Sequence, residues 1–276
     1  METFNRSYQL VKESFSVLRK DKEILLFPII SGAVGLILFA FIAISSFSLG
    51  FLEDAGNILF LPLLFLYYLA SYFVIIFFNT GLVTCANIRM NGGDPKFSDG
   101  INNAVKHIGK IFVWALISAT VGMILRRLSE RSGWLGRIIL GIVGMAWGLL
   151  TFFVIPVMIF ENISVIDSIR RSGALFRKTW GENVVGQFSM GFFFFLLSIP
   201  GIIAIVVGIL SMMGGSFPLM LIFFGAGVLY LVMLTIVSSS LNVIFTTALY
   251  NYASKGVVPQ GFSEQAIKGA WKTRSH

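Results

Sequence analysis

One cysteine and two histidines in 276 residues leave little room for metal or redox chemistry. A lone Cys85 closes no disulfide within the chain, and with His107 and His276 it makes no His/Cys metal cluster. Charge is scarce too: Asp, Glu, Lys and Arg are 12% of the residues, about half the share usual in a soluble domain. The P-loop pattern, the GxSxG elbow, the HExxH pair and paired catalytic carboxylates are all missing. No charge falls at the centre of a clean apolar run, where proton relays and ion pathways carry theirs. These gaps argue against an enzyme and against an ion-coupled carrier, so no catalytic residue, cofactor or metal ligand is assigned. A cleavable signal peptide is also missing. A charged segment follows Met1 with no small-residue cleavage site, and the first span reads as a signal anchor.

What fills the chain instead is hydrocarbon. Hydrophobic residues are 56% of it, with 28 Phe and 28 Gly, and the mean hydropathy is +0.86. Glycine at this density fits helices that pack closely inside lipid. The apolar runs are continuous over roughly 20 residues, the length of a spanning helix, where a β-barrel would alternate. The expected fold is all-α: a polytopic bundle in one integral membrane domain, 1–276. Its spans cover 24–47, 57–83, 111–128, 138–160, 184–213 and 218–250. The third is the shortest, its clean run stopping at Leu125. Spans three and four either cross fully or form a shallow hairpin, and six crossings is the reading taken. Pro200-Gly201 is expected to kink or break the fifth span, because proline removes a backbone donor.

The stretch 152–187 organises the rest. An apolar run ends in Pro156-Val-Met-Ile-Phe160 and is closed by Glu161 and Asn162. Ser164 and Asp167 then form a capping-box pattern. Ile166, Ile169, Gly173, Phe176 and Trp180 follow at helical spacing, with Asp167, Arg170, Arg171, Arg177 and Lys178 on the other face. This is a basic amphipathic helix, 164–178, between two spans. A similar segment at 3–20 puts Phe4, Tyr8, Val11, Phe15 and Leu18 on one stripe, with Lys12 and Arg19 off it. That segment lies on lipid, docks on the protein's own chain, or does both. Ser98 opens another over 98–109, and a last one covers 263–273. A surface helix thus precedes spans one, three and five, and a lone one closes the chain.

Basic residues set the expected orientation. The segments carrying the surface helices hold 17 of the 21 Lys and Arg. The other four, Arg126, Arg127, Arg131 and Arg137, crowd the loop between spans three and four. Both termini and the surface helices are therefore expected on the cytoplasmic side of the membrane. The +8 net charge reports topology here rather than nucleic-acid binding.

Several stretches carry a resemblance. They are Trp114 with Ser118-Ala-Thr-Val-Gly122, Glu130-Arg-Ser-Gly133, Trp147 before Phe153-Val-Ile-Pro156, and Glu161 leading to Ser168, Arg171-Ser172 and Thr179-Trp-Gly-Glu182. With residues 14–32 they resemble an uncharacterised prokaryotic family of six-span membrane proteins. More distantly, the unit of span, glutamate, amphipathic helix and span resembles the membrane domain attached to some glycerophosphodiester phosphodiesterases. The resemblance implies architecture and leaves activity open.

Two uses compete for these parts. In the first, the basic helices hold anionic membrane lipid or a partner protein, with Arg170, Arg171, Arg177, Lys178, Lys12 and Arg19 as the contacts. In the second, the chain is an oligomeric channel or passive transporter, a homo-oligomer whose vestibule is lined by Glu161, Asn79, Gln187, Ser239 and Asn242. A third use, as a membrane enzyme acting on lipid, would need acids such as Glu161, Asp167 and Glu182 to converge around a bound metal. The plain reading of Glu161 is a pair with Arg170 or Arg171 that sets the angle of the surface helix.

Overall fold

The computed structural model describes residues 2–48 and 60–263. Among these, nine α-helices and one 3-10 turn form the structure, with no strand. They are α1 (Glu2–Lys20), the turn Lys22–Leu25, α2 (Leu26–Ser48), α3 (Phe60–Met90) and α4 (Phe97–Lys106). Then come α5 (Ile108–Arg131), α6 (Trp134–Leu150), α7 (Val154–Phe160), α8 (Val165–Met213) and α9 (Phe217–Lys255). Six helical stretches are long and apolar enough to cross a membrane: Lys22–Ser48, Leu61–Met90, Ile108–Arg131, Trp134–Phe160, Met190–Met213 and Phe217–Lys255. This is the all-α, six-span pattern expected of a multi-pass membrane protein. The surface segment expected at 263–273 lies outside the described residues except for Ser263.

Prolines explain where several helices start. Pro28, Pro62 and Pro156 each stand third in their helix, within the first turn, where no intrahelical donor is needed. The third case has a consequence that the apolar pattern hid. A proline at 156 offers no N–H to the carbonyl four residues back. The fourth span therefore breaks at Thr151–Phe153, between α6 and α7. Thr151 closes the first half, its hydroxyl donating to Trp147 O at 2.8 Å. The break expected at Pro200 does not occur, and α8 runs through it.

The chain forms two compact units, Leu26–Lys178, and Met1–Leu25 with Thr179–His276. In the first, α2, α4, α5 and α7 all pack on α3, and α6 packs on α5. Its core joins Ile76, Ala104, Ile111, Trp114, Ala115, Val154, Met158 and Val165. The α4–α3 approach is tight. A Cβ on Gly100 would stand 2.7 Å from Gly81 O and 2.5 Å from the Phe27 ring. That ring packs on Phe97 at 4.7 Å. α4 begins one residue earlier than Ser98 suggests, because the Lys96 N–H donates to the Asp99 carboxylate at 2.9 Å. The short α5 is 24 residues long, which at the helical rise is about 36 Å and enough to cross the hydrocarbon.

In the second unit α1 packs on α9. It buries Val11, Ser14, Val17 and Leu18 and exposes Lys12, Arg19 and Lys20. Phe15, on the same apolar stripe as Val11 and Leu18, is exposed. Glu13 binds the far end of the chain, accepting from Ser263 N–H at 3.1 Å and from its hydroxyl at 2.7 Å. α8 and α9 meet along small residues. A Cβ on Gly227 would lie 2.8 Å from Gly201 O, and one on Gly208 would lie 2.7 Å from Phe224 N. Beside that seam Tyr230 donates its hydroxyl to Leu197 O at 2.7 Å, next to the gap that Pro200 leaves in the helix ladder. Gly256, in the left-handed region at φ 70°, ends α9.

Candidate functional site

The junction of α7 and α8 is built from the residues that the sequence singled out. Glu161 closes α7, and Asn162 turns the chain in the left-handed region at φ 51°, which asparagine tolerates better than most residues. Ser164 then accepts the Asp167 N–H at 3.1 Å and gives its hydroxyl to the Asp167 carboxylate at 2.6 Å. This is a variant of the expected box, since the carboxylate takes the hydroxyl proton. Ten residues beyond Glu161, Arg171 donates Nε to both of its carboxylate oxygens, at 3.2 and 3.1 Å. Lys110, from the start of α5, donates to Asn162 Oδ1 at 2.7 Å. Ser172 accepts the Phe153 N–H at 2.9 Å, in a buried position at the break in the fourth span. Glu161 thus fixes the first turns of α8 against α7, and Ser172 fixes them against the break.

The face of this part of α8 that packs inside the protein stands one residue before the apolar stripe. Val165, Ser168, Ser172, Leu175 and Phe176 are buried, while Ile166 is 51% exposed. The outward face carries Ile166, Arg170, Ala174 and Arg177. Arg170 keeps 78% of its side chain exposed, with Asp167 3.6 Å away. Lys178 and Gln187 fall where side chains are not described, and so does Glu182. Asp167 is engaged with Ser164 and Arg170, and Glu161 with Arg171.

The remaining vestibule residues are divided between the units. Asn79 is half-buried on α3, beside Thr80, whose buried hydroxyl has no hydrogen-bond partner among the described residues. Ser239 and Asn242 lie on α9. Asn242 donates to Ser238 O at 2.9 Å, and Ser240 to Ile236 O at 3.0 Å. These two polar groups are served by their own helix.

The fourth-span break also borders a cavity of about 350 Å³ between α3, α5 and α6. Tyr72 and Ile76 line it from α3, Trp114, Ser118 and Gly122 from α5, and Trp147 from α6. The two indoles lie 6.0 Å apart, inclined by 32°. No functional use was foreseen for these residues, although the signal is present in the chain. Trp114, Ser118 and Gly122 repeat at steps of four, one helical face on which a bulky, a hydroxylic and a side-chain-free residue stand in line.

The chain belongs to the Family of unknown function (DUF6159), whose sequence profile matches residues 58–261. The cavity and the α7–α8 junction both fall inside that match. No curated protein matches the chain.

Proposed function

We propose that the protein is a non-enzymatic, multi-pass protein of the prokaryotic plasma membrane that holds anionic lipid headgroups with the bases of its surface helices. Both termini face the cytoplasm in this reading. The carrying observation is the outward face of α8. Arg170 and Arg177 stand two turns apart on one line, and Ile166 beside them is 51% exposed. An exposed apolar residue among bases is the pattern of a helix lying in a headgroup layer.

A native mass spectrum of the full chain released from nanodiscs tests this. Retention of anionic phosphatidylglycerol over phosphatidylcholine is expected. Reversing Arg170 and Arg177 to Glu removes contacts worth about 1 kcal/mol each, so the preference should fall roughly tenfold or more. Equal retention of both lipids by the native chain would sink the idea. A defined oligomer that conducts ions in liposomes would favour the competing reading, an oligomeric channel or passive transporter.

A further inference from the structure

We infer that the cavity between α3, α5 and α6 binds an uncharged, flat ring bearing carbonyl groups on an apolar tail, the chemistry of a membrane quinone. Four polar groups among its lining residues have no hydrogen-bond partner among the described residues. The indole N–H groups of Trp114 and Trp147 and the hydroxyls of Tyr72 and Ser118 make no hydrogen bond to a described residue. Trp114 is 5% exposed and Ser118 7%, and both line the cavity. An indole nitrogen only donates, and phenolic and serine hydroxyls donate readily. The set therefore favours acceptors, since a donor facing a cavity at hydrocarbon depth gains by finding one.

Charge narrows the choice. No Lys, Arg, His, Asp or Glu lines the cavity, so nothing there balances an anionic headgroup or holds a metal ion. Depth narrows it further. Ser118 sits near the middle of Ile108–Arg131, Tyr72 near the middle of Phe60–Met90, and Trp147 near the middle of Trp134–Phe160. In a hydrocarbon layer about 30 Å thick, that is the bilayer centre, well below the ester carbonyls of ordinary phospholipids. The occupant has to carry its acceptors into the membrane interior.

Shape agrees. The paired indoles offer a broad face for a planar ring, and the volume of about 350 Å³ is that of a small-molecule site. Ile75, 49% exposed, stands at the rim, where an apolar tail can leave into lipid. A Cβ on Gly122 would come within 3.0 Å of the Tyr72 hydroxyl, so glycine there keeps the phenol in place and the space open.

The test uses the full chain in nanodiscs and a photoactivatable azido-alkylbenzoquinone, with adducts mapped by peptide mass spectrometry. Saturable labelling is expected on peptides around Tyr72, Ser118 and Trp147, and decylubiquinone should compete it away. Gly122→Leu fills the cavity and should cut labelling about tenfold, and Trp147→Phe, which keeps a ring and loses a donor, about threefold. Circular dichroism and melting of the Trp147→Phe protein should match the native chain, which separates lost binding from lost fold. Labelling spread over other helices, labelling unchanged in both variants, or equal competition by dioctanoylglycerol would each overturn the assignment.

Discussion

At Ser172 a hydroxyl set 2.9 Å from the Phe153 amide decides how the start of α8 meets the broken span. Ser172→Ala removes that acceptor from a buried place and should destabilise the protein by about 1–2 kcal/mol. Arg171→Gln, by contrast, breaks a pair whose partners keep 45% and 25% of their side chains exposed, and should cost about 0.2–1 kcal/mol. Thermal unfolding in a single detergent ranks the two, and the serine variant should melt lower. The pair itself was legible in the sequence: an acid closing an apolar run, with arginines on the next helix, has few other options. The serine was not legible, for a physical reason. A soluble helix buries its apolar stripe, but lipid accepts Ile166 as readily as a protein core does. Ser168 and Ser172 therefore turn inward, where hydroxyls find partners and small side chains let backbones approach. The stripe Ile166, Ile169, Gly173, Phe176 marks the apolar side of the helix, and an apolar side that lipid also accepts does not say which side packs on protein. Only Phe176 belongs to both faces.

Among the elements, prolines and glycines divide the work. The sequence made Pro200 the expected break and passed over Pro156, since both stand inside long apolar runs. Their neighbours make the difference. At Pro200 the helix continues, and the Tyr230 hydroxyl ties it to α9 one residue from the orphaned carbonyl, at Leu197 O. At Pro156 the chain turns at Thr151–Phe153 and the local groups cap each half. Tyr230→Phe should cost about 0.6 kcal/mol, the average worth of such a bond inside a membrane. Gly227→Leu should be far worse, by about 1–3 kcal/mol. Its side chain has to enter the space between the Gly201 carbonyl, 2.8 Å from a Cβ, and the Ile205 backbone. Gradual unfolding in a denaturing detergent, followed by tryptophan emission, measures both. The abundance of glycine announced such a seam, but composition could not say which of 28 glycines would form it.

For the whole molecule the six apolar stretches and the all-α class were readable because length and hydropathy answer to one bilayer dimension. The arginines expected in a loop between spans three and four were the anomaly; Arg126, Arg127 and Arg131 instead stand in the last turns of α5 and Arg137 in the first turn of α6, and the first two have local partners. Arg126 donates to Glu130 at 2.9 Å and also to the Tyr68 hydroxyl, while Arg127 stands 3.7 Å from Glu130. Six crossings predict that Lys96→Cys and Ser132→Cys, at opposite ends of the α3 and α5 spans, react with an impermeant maleimide from opposite faces of sealed vesicles. Native Cys85 is buried and should stay silent. Labelling from the same face would show a hairpin that does not cross. The broken fourth span has one more effect, in the currency of bilayer thickness. α6 has 17 residues and buries none of them, so it is about 25 Å long and is held as much by lipid as by protein. Its neighbours α3 and α5 have 31 and 24 residues and tolerate mismatch by tilting as whole rods. α6 has to bend at its join with α7 instead. Lengthening the acyl chains should therefore swing the wall that carries Trp147 relative to the opposite wall, which moves only as a rigid whole, making this helix a gauge of the membrane around it.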